Sequence, residues 1–123
     1  MKKALLAAAS LLALAACDRG SDPVVCDLPY ISRSLKVTVQ DSVTGAIVTP
    51  GATLVLRSAT YTDSVVAGPT EVAASVGYGA GTFTLTVRQS GYLAWTKTGV
   101  KVKPGECGAS ITVDLTARLK PAS

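Results

Sequence analysis

From Leu35 onward apolar and polar residues alternate in short runs, which is the period of a half-buried strand. Leu35, Val37 and Val39 fall on one side of the first run, and Lys36, Thr38 and Gln40 on the other. Ala52–Leu56 is a nearly continuous apolar stretch, as a more deeply buried strand would be, and Tyr61–Val66 repeats the alternation more faintly. In Thr82–Val87, Phe83, Leu85 and Val87 point one way and three threonines the other. Leu93 and Trp95, then Val100 and Val102, mark a long strand or two pieces broken near Gly99, and Ile111 to Leu119 alternates without a fault. Threonine and β-branched residues dominate these runs, and they suit a pleated surface. The one trace of helical period after residue 17 is a short turn around Glu71–Ser75. Turn formers separate the runs: Asp41-Ser42-Val43-Thr44-Gly45, Pro50-Gly51, Ser90-Gly91 and Pro104-Gly105. The pattern predicts an all-β, antiparallel sandwich of about seven strands over residues 35–120.

The N-terminus follows another rule. Lys2-Lys3 precedes thirteen residues, Ala4–Ala16, whose sole polar member is Ser10. A positive end and a short apolar run form a secretory signal, and the run is shorter than the roughly 20 residues that span a bilayer. Leu14-Ala15-Ala16-Cys17 resembles the lipobox of bacterial lipoproteins. That resemblance implies a diacylglyceryl group on Cys17 and cleavage after residue 16, leaving the domain lipid-anchored to a membrane of the cell envelope. An ordinary signal with an incidental cysteine is the other reading. Asp18 resembles an inner-membrane retention signal of enteric lipoproteins, and the choice between inner and outer membrane stays open. Residues 17–34, with Asp18, Arg19, Gly20, Ser21, Asp22 and Pro23, read as a tether.

The chain has three cysteines, an odd number for an exported protein. With Cys17 lipidated, Cys26 and Cys107 form an even pair in an oxidising compartment. A disulfide between them would enclose 80 residues, and closing so long a loop is worth on the order of 4–5 kcal/mol in the chain-entropy estimate. Two buried free thiols are the alternative. A metal site is not expected, because the chain contains no histidine and the two cysteines are far apart in sequence.

Charge changes the picture little. The formal net charge is +4, and loss of the signal takes two lysines with it, leaving ten basic against eight acidic residues. Lys97, Lys101, Lys103, Arg118 and Lys120 gather toward the C-terminal end and read as a solvated strand face, with at most weak attraction to anionic headgroups or polysaccharide. They lack the aromatic interleaving of a nucleic-acid site, and no nucleic-acid partner is expected.

Leu35–Val55, LKVTVQDSVTGAIVTPGATLV, resembles the opening of carboxypeptidase regulatory-like domains: an alternating strand, a D-x-x-T-G turn, a small linker and G-A-x-V. Gly81–Val87, Gly91-Tyr92 and the last strand from Ile111 to Leu115 are similar to later parts of that family. The resemblance implies a transthyretin-like Greek-key sandwich without catalytic activity, serving as an accessory, folding or binding module. No enzyme is attached to it in this sequence.

Catalytic chemistry finds little support in the residues. Absence of histidine removes the commonest general base. Asp41, Asp63, Glu71 and Asp114 are scattered singly, without a pair suited to glycosidase work. No catalytic residue and no cofactor is expected, and the preferred partner is another envelope protein. The rival is a polysaccharide-binding module presenting an exposed aromatic. Tyr30, Tyr61, Tyr78, Tyr92, Trp95 and Phe83 are the candidates. Tyr78, flanked by glycines in Gly77-Tyr78-Gly79-Ala80-Gly81, is the one that a loop tip would expose. Trp95 reads as core.

Overall fold

The computed structural model describes residues 32–123. Seven strands follow in order: β1 (Arg33–Asp41), β2 (Thr53–Arg57), β3 (Thr62–Val66), β4 (Ala73–Tyr78), β5 (Gly81–Arg88), β6 (Trp95–Val102) and β7 (Val113–Leu119). They form two sheets, β4-β1-β7 and β3-β2-β5-β6. The residues that alternate inward from both sheets meet in one apolar core, the arrangement of an all-β sandwich. Leu35, Val37 and Val39 of β1, Leu54 and Leu56 of β2, Phe83, Leu85 and Val87 of β5, and Ala117 and Leu119 of β7 are all buried.

Two expectations are corrected. The pairing is not antiparallel throughout: β1 runs parallel to β7, with Leu35 opposite Val113 and Asp41 opposite Leu119. Local hairpins cannot make a parallel pair. This one joins the first strand to the last, and the rest of the domain is its connection. The helical trace at Glu71–Ser75 is a turn followed by a strand. Glu71 N–H donates to Gly68 O, the Glu71 carboxylate accepts from Gly68 N–H, and β4 then begins at Ala73. The three-stranded sheet thereby gains its edge strand, because β4 pairs with β1 over Arg33↔Tyr78 to Thr38↔Ala73.

β1 begins at Arg33, two residues before the alternation becomes visible at Leu35. The break expected near Gly99 is a bulge inside one strand: the β5–β6 register shifts between Phe83 and Leu85, and Gly99 has φ 67°.

These connections give the sandwich two different ends. At the entry end lie Ser32, the β2–β3 turn, the β4–β5 hairpin and the β6–β7 loop. At the far end lie the 42–52 and 67–72 loops, the β5–β6 connection and the C-terminal residues.

Candidate functional site

The entry end is knitted by polar groups. The Arg33 guanidinium donates from Nε to Gly77 O (3.0 Å) and from Nη2 to Ser75 O (2.9 Å), and lies 3.7 Å from Asp63 Oδ2. Asp63 in turn accepts from the Gly77 N–H at 2.8 Å. Gly77 is buried and sits at φ 80°, so its N–H leaves the β1 ladder, and the carboxylate on β3 satisfies it. This closes the corner where the two sheets' edge strands, β3 and β4, come together.

Tyr78 belongs to this cluster. It is the last residue of β4 rather than the tip of the glycine-rich loop, and the Arg33 guanidinium stacks 4.4 Å from its ring centroid. The ring is 49% exposed, with one of its faces occupied by a cation. The other described aromatics pack inward. Phe83 is buried, Tyr61 meets it edge-on at 6.3 Å, and Tyr92 and Trp95 lie half-buried against the core. Tyr30 lies outside the described residues, so no row of exposed rings is formed among the described ones.

Cys107 occupies the β6–β7 loop at the entry end, in a single 3₁₀ turn, Glu106–Gly108, with left-handed backbone (φ 58°, ψ 32°). Gly105 N–H to Ala109 O and Ala109 N–H to Glu106 O brace that turn. The incoming chain reaches the same loop: Ser110 N–H donates to Ser32 Oγ at 2.8 Å, and Thr112 Oγ1 donates to Arg33 O at 2.8 Å. Cys17 and Cys26 lie outside the described residues.

The carboxylates hold turns and edges. Asp41 Oδ1 accepts from Val43 N–H (2.7 Å) and Thr44 N–H (3.0 Å), and Oδ2 accepts from the Tyr92 hydroxyl (2.7 Å). These bonds, the one from Thr44 N–H foremost, hold the Asp41 carboxyl below its usual range, while the bond to Asp41 raises Tyr92. Asp114 is exposed on the outer face of β7, in register with Lys36 of β1. Among the described residues no three His, Cys, Asp or Glu side chains gather as a metal site would need.

The far end is different in character. Val43 is 77% exposed, and Ile47, Val72 and Leu93 also stand out of its loops, with Val66 at the last position of β3; at the entry end Ile111 of the β6–β7 loop is the one comparably exposed aliphatic residue among the described ones. Behind Leu93 a shallow groove of about 350 Å³ runs between β6 and β7, lined by Leu93, Ala94, Trp95, Thr96, Arg118 and Lys120. Leu93 N–H to Lys120 O and Ala122 N–H to Gly91 O pin the chain beside it. Periodicity reads Leu93 into the strand with Trp95, but β6 begins at Trp95 and Leu93 stands exposed in the connection before it; Val43, Ile47 and Val72 lie in loops, where no period marks them. Neither a protein-family model nor a curated protein matches this chain.

Proposed function

We propose that this chain is an envelope lipoprotein, anchored through lipid on Cys17, whose sandwich is a non-catalytic carboxypeptidase regulatory-like module for structural or protein contacts. On this reading the seven strands form the family's Greek-key arrangement, and Cys26 is joined to Cys107. The observation that carries it is the asymmetry of the two ends. The chain enters beside the Cys107 loop through the Ser32–Ser110 bonds, and the exposed Val43, Ile47, Val72 and Leu93 stand at the opposite end. Scattered apolar residues are ordinary on a surface, but four of them in the loops at the end opposite Ser32 support a reading in which that end meets a neighbouring protein. Five residues lie between Cys26 and Ser32, a reach of at most about 20 Å, which is compatible with a bridge from Cys26 to the Cys107 loop. The alternative, sugar stacking on Tyr78, draws less support, because Arg33 already covers one face of that ring.

The test has two arms. Labelling with a fatty-acid probe is expected for the wild type and lost in Cys17→Ser; persistent labelling of the variant would refute the anchor. A photo-crosslinker at Val43 or Val72 is expected to capture an envelope protein in native membranes, and one at Tyr78 to capture none. Capture at Tyr78 alone would reverse the assignment of the ends.

A further inference from the structure

The outer face of the four-stranded sheet is, among the described residues, a plane of hydroxyls and cations. Ladder register sets its rows. Ser64, Val55, Thr86 and Thr96 lie side by side across the four strands, Thr62, Arg57 and Thr84 form the next row, and Val66, Thr53 and Arg88 close one margin. Thr82 and Lys101 face each other at the other margin. The opposite parity, Leu54, Leu56, Leu85 and Val87, is buried, so these residues point away from the core. No described element packs over them.

Every described carboxylate stands elsewhere. Asp41 and Glu71 hold far-end turns, Asp63 turns toward β4, Glu106 is in the entry loop, and Asp114 is on the other sheet. Residues 32–123 carry nine basic and five acidic side chains, a larger excess than the mature chain as a whole, because Asp18, Asp22 and Asp27 precede the domain. Arg57, Arg88 and Lys101 make no ion pair among the described residues, where Arg33–Asp63 is the one recorded.

We infer that this face binds an extended anionic polysaccharide, one whose sugars carry carboxylate or phosphate. Spacing decides for a polymer over a small anion. Strand geometry puts Arg57 roughly 14 Å from Arg88 and roughly 12 Å from Lys101, with Arg88 and Lys101 about 21 Å apart, so they cannot converge on one group but can each meet a successive charge of a chain. The threonines between them repeat at ~6.8 Å along β5 and ~4.8 Å across strands, offering donors and acceptors to sugar hydroxyls. Chemistry decides against a membrane. Val55 and Val66 are the face's apolar residues, with no aromatic or long aliphatic side chain to enter the headgroup layer. The inference goes beyond the anchored-module reading and needs only the folded sandwich.

Its test uses the full-length protein in neutral detergent over an immobilised polyuronate, a phosphate-bearing glycopolymer and neutral dextran. Retention is expected on at least one anionic polymer, weakened by salt, and absent on dextran; the polymer retained tells carboxylate from phosphate. R57Q/R88Q/K101Q should bind about tenfold more weakly. T84V/T86V, which leaves the charge unchanged, should also weaken it. The charge-matched K36Q/R118Q/K120Q should retain wild-type binding. Equal loss in that control would overturn the inference, as would failure on both polymers, equal retention on dextran, or tighter binding to vesicles of anionic lipid. The Cys17→Ser labelling is independent of all these outcomes, so either proposal can fall alone.

Discussion

The Tyr92 hydroxyl donates a 2.7 Å hydrogen bond to Asp41 Oδ2, tying the turn after β1 to the connection between β5 and β6 across 51 positions of sequence. Asp41 titrates low because of the bonds from Thr44, Tyr92 and Val43, so its contribution is present above the unfolded carboxyl value, near pH 4, and is lost as pH falls through the lower folded value. Tyr92 titrates high, so its share is full below about pH 10 and is lost as pH rises through the folded value. Tyr92→Phe should therefore lower the thermal midpoint between about pH 4 and pH 10, and the gap from wild type should narrow on either side. Asp41→Ala should lose more, since it also frees Val43 and Thr44 N–H. Melting curves across pH check both, and a gap that does not vary with pH would contradict them.

Thr49 is fully buried, and its hydroxyl does two jobs: it accepts from Val39 N–H at 2.9 Å and donates to Val72 O at 2.7 Å. It joins the β1 backbone to the segment leading into β4. Thr49→Val keeps the shape and strands both partners, a cost of about 1–3 kcal/mol. The urea midpoint should fall with an unchanged slope. Thr96→Val, on an exposed face, should stay within about 0.5 kcal/mol of wild type.

At Gly77 a side chain would meet two obstacles. With φ at 80° an L-residue is strained, and a Cβ would collide with Leu56 Cδ2 while lying 3.1 Å from Ser34 Cβ. Gly77→Ala should destabilise by at least about 2 kcal/mol, from the strain and the collision together. At Gly45, also at positive φ but with open space around it, the same change should cost only the conformational part. Denaturant titration of the two variants separates backbone strain from collision.

The proposed Cys26–Cys107 bridge makes a prediction of its own. Reductant, or Cys26→Ser with Cys107→Ser, should lower stability by up to about 4–5 kcal/mol. Alkylation of the native protein before reduction should label neither cysteine; labelling of either would exclude the bridge.

Strands with Leu, Val or Phe on alternate positions were legible in the sequence, because burial of large side chains writes a period of two. β4 was not. Its inward positions are Ala74, Val76 and Gly77, and alanine and glycine leave too faint a contrast, while Glu71 beside Gly68 makes a turn that mimics a helical step. The parallel β1–β7 pair was equally hidden, since both strands alternate whichever neighbour they take. Tyr78 was found by its glycines, but the Arg33 cation against it comes from a strand 45 positions away. The hydroxyl face was half visible, as three threonines on β5. Its remaining rows depend on register, which only the folded sheet supplies.

The parallel β1–β7 pair also sets when this domain can exist. Its central sheet strand, β1, keeps one side open until residues 113–119 have been synthesised and brought back to it. A nascent chain lacking β7 has a core without Ala117 and Leu119 and an unpaired first strand. Folding of the domain is thus postponed until β7 has been made, although six of its seven strands are by then already synthesised.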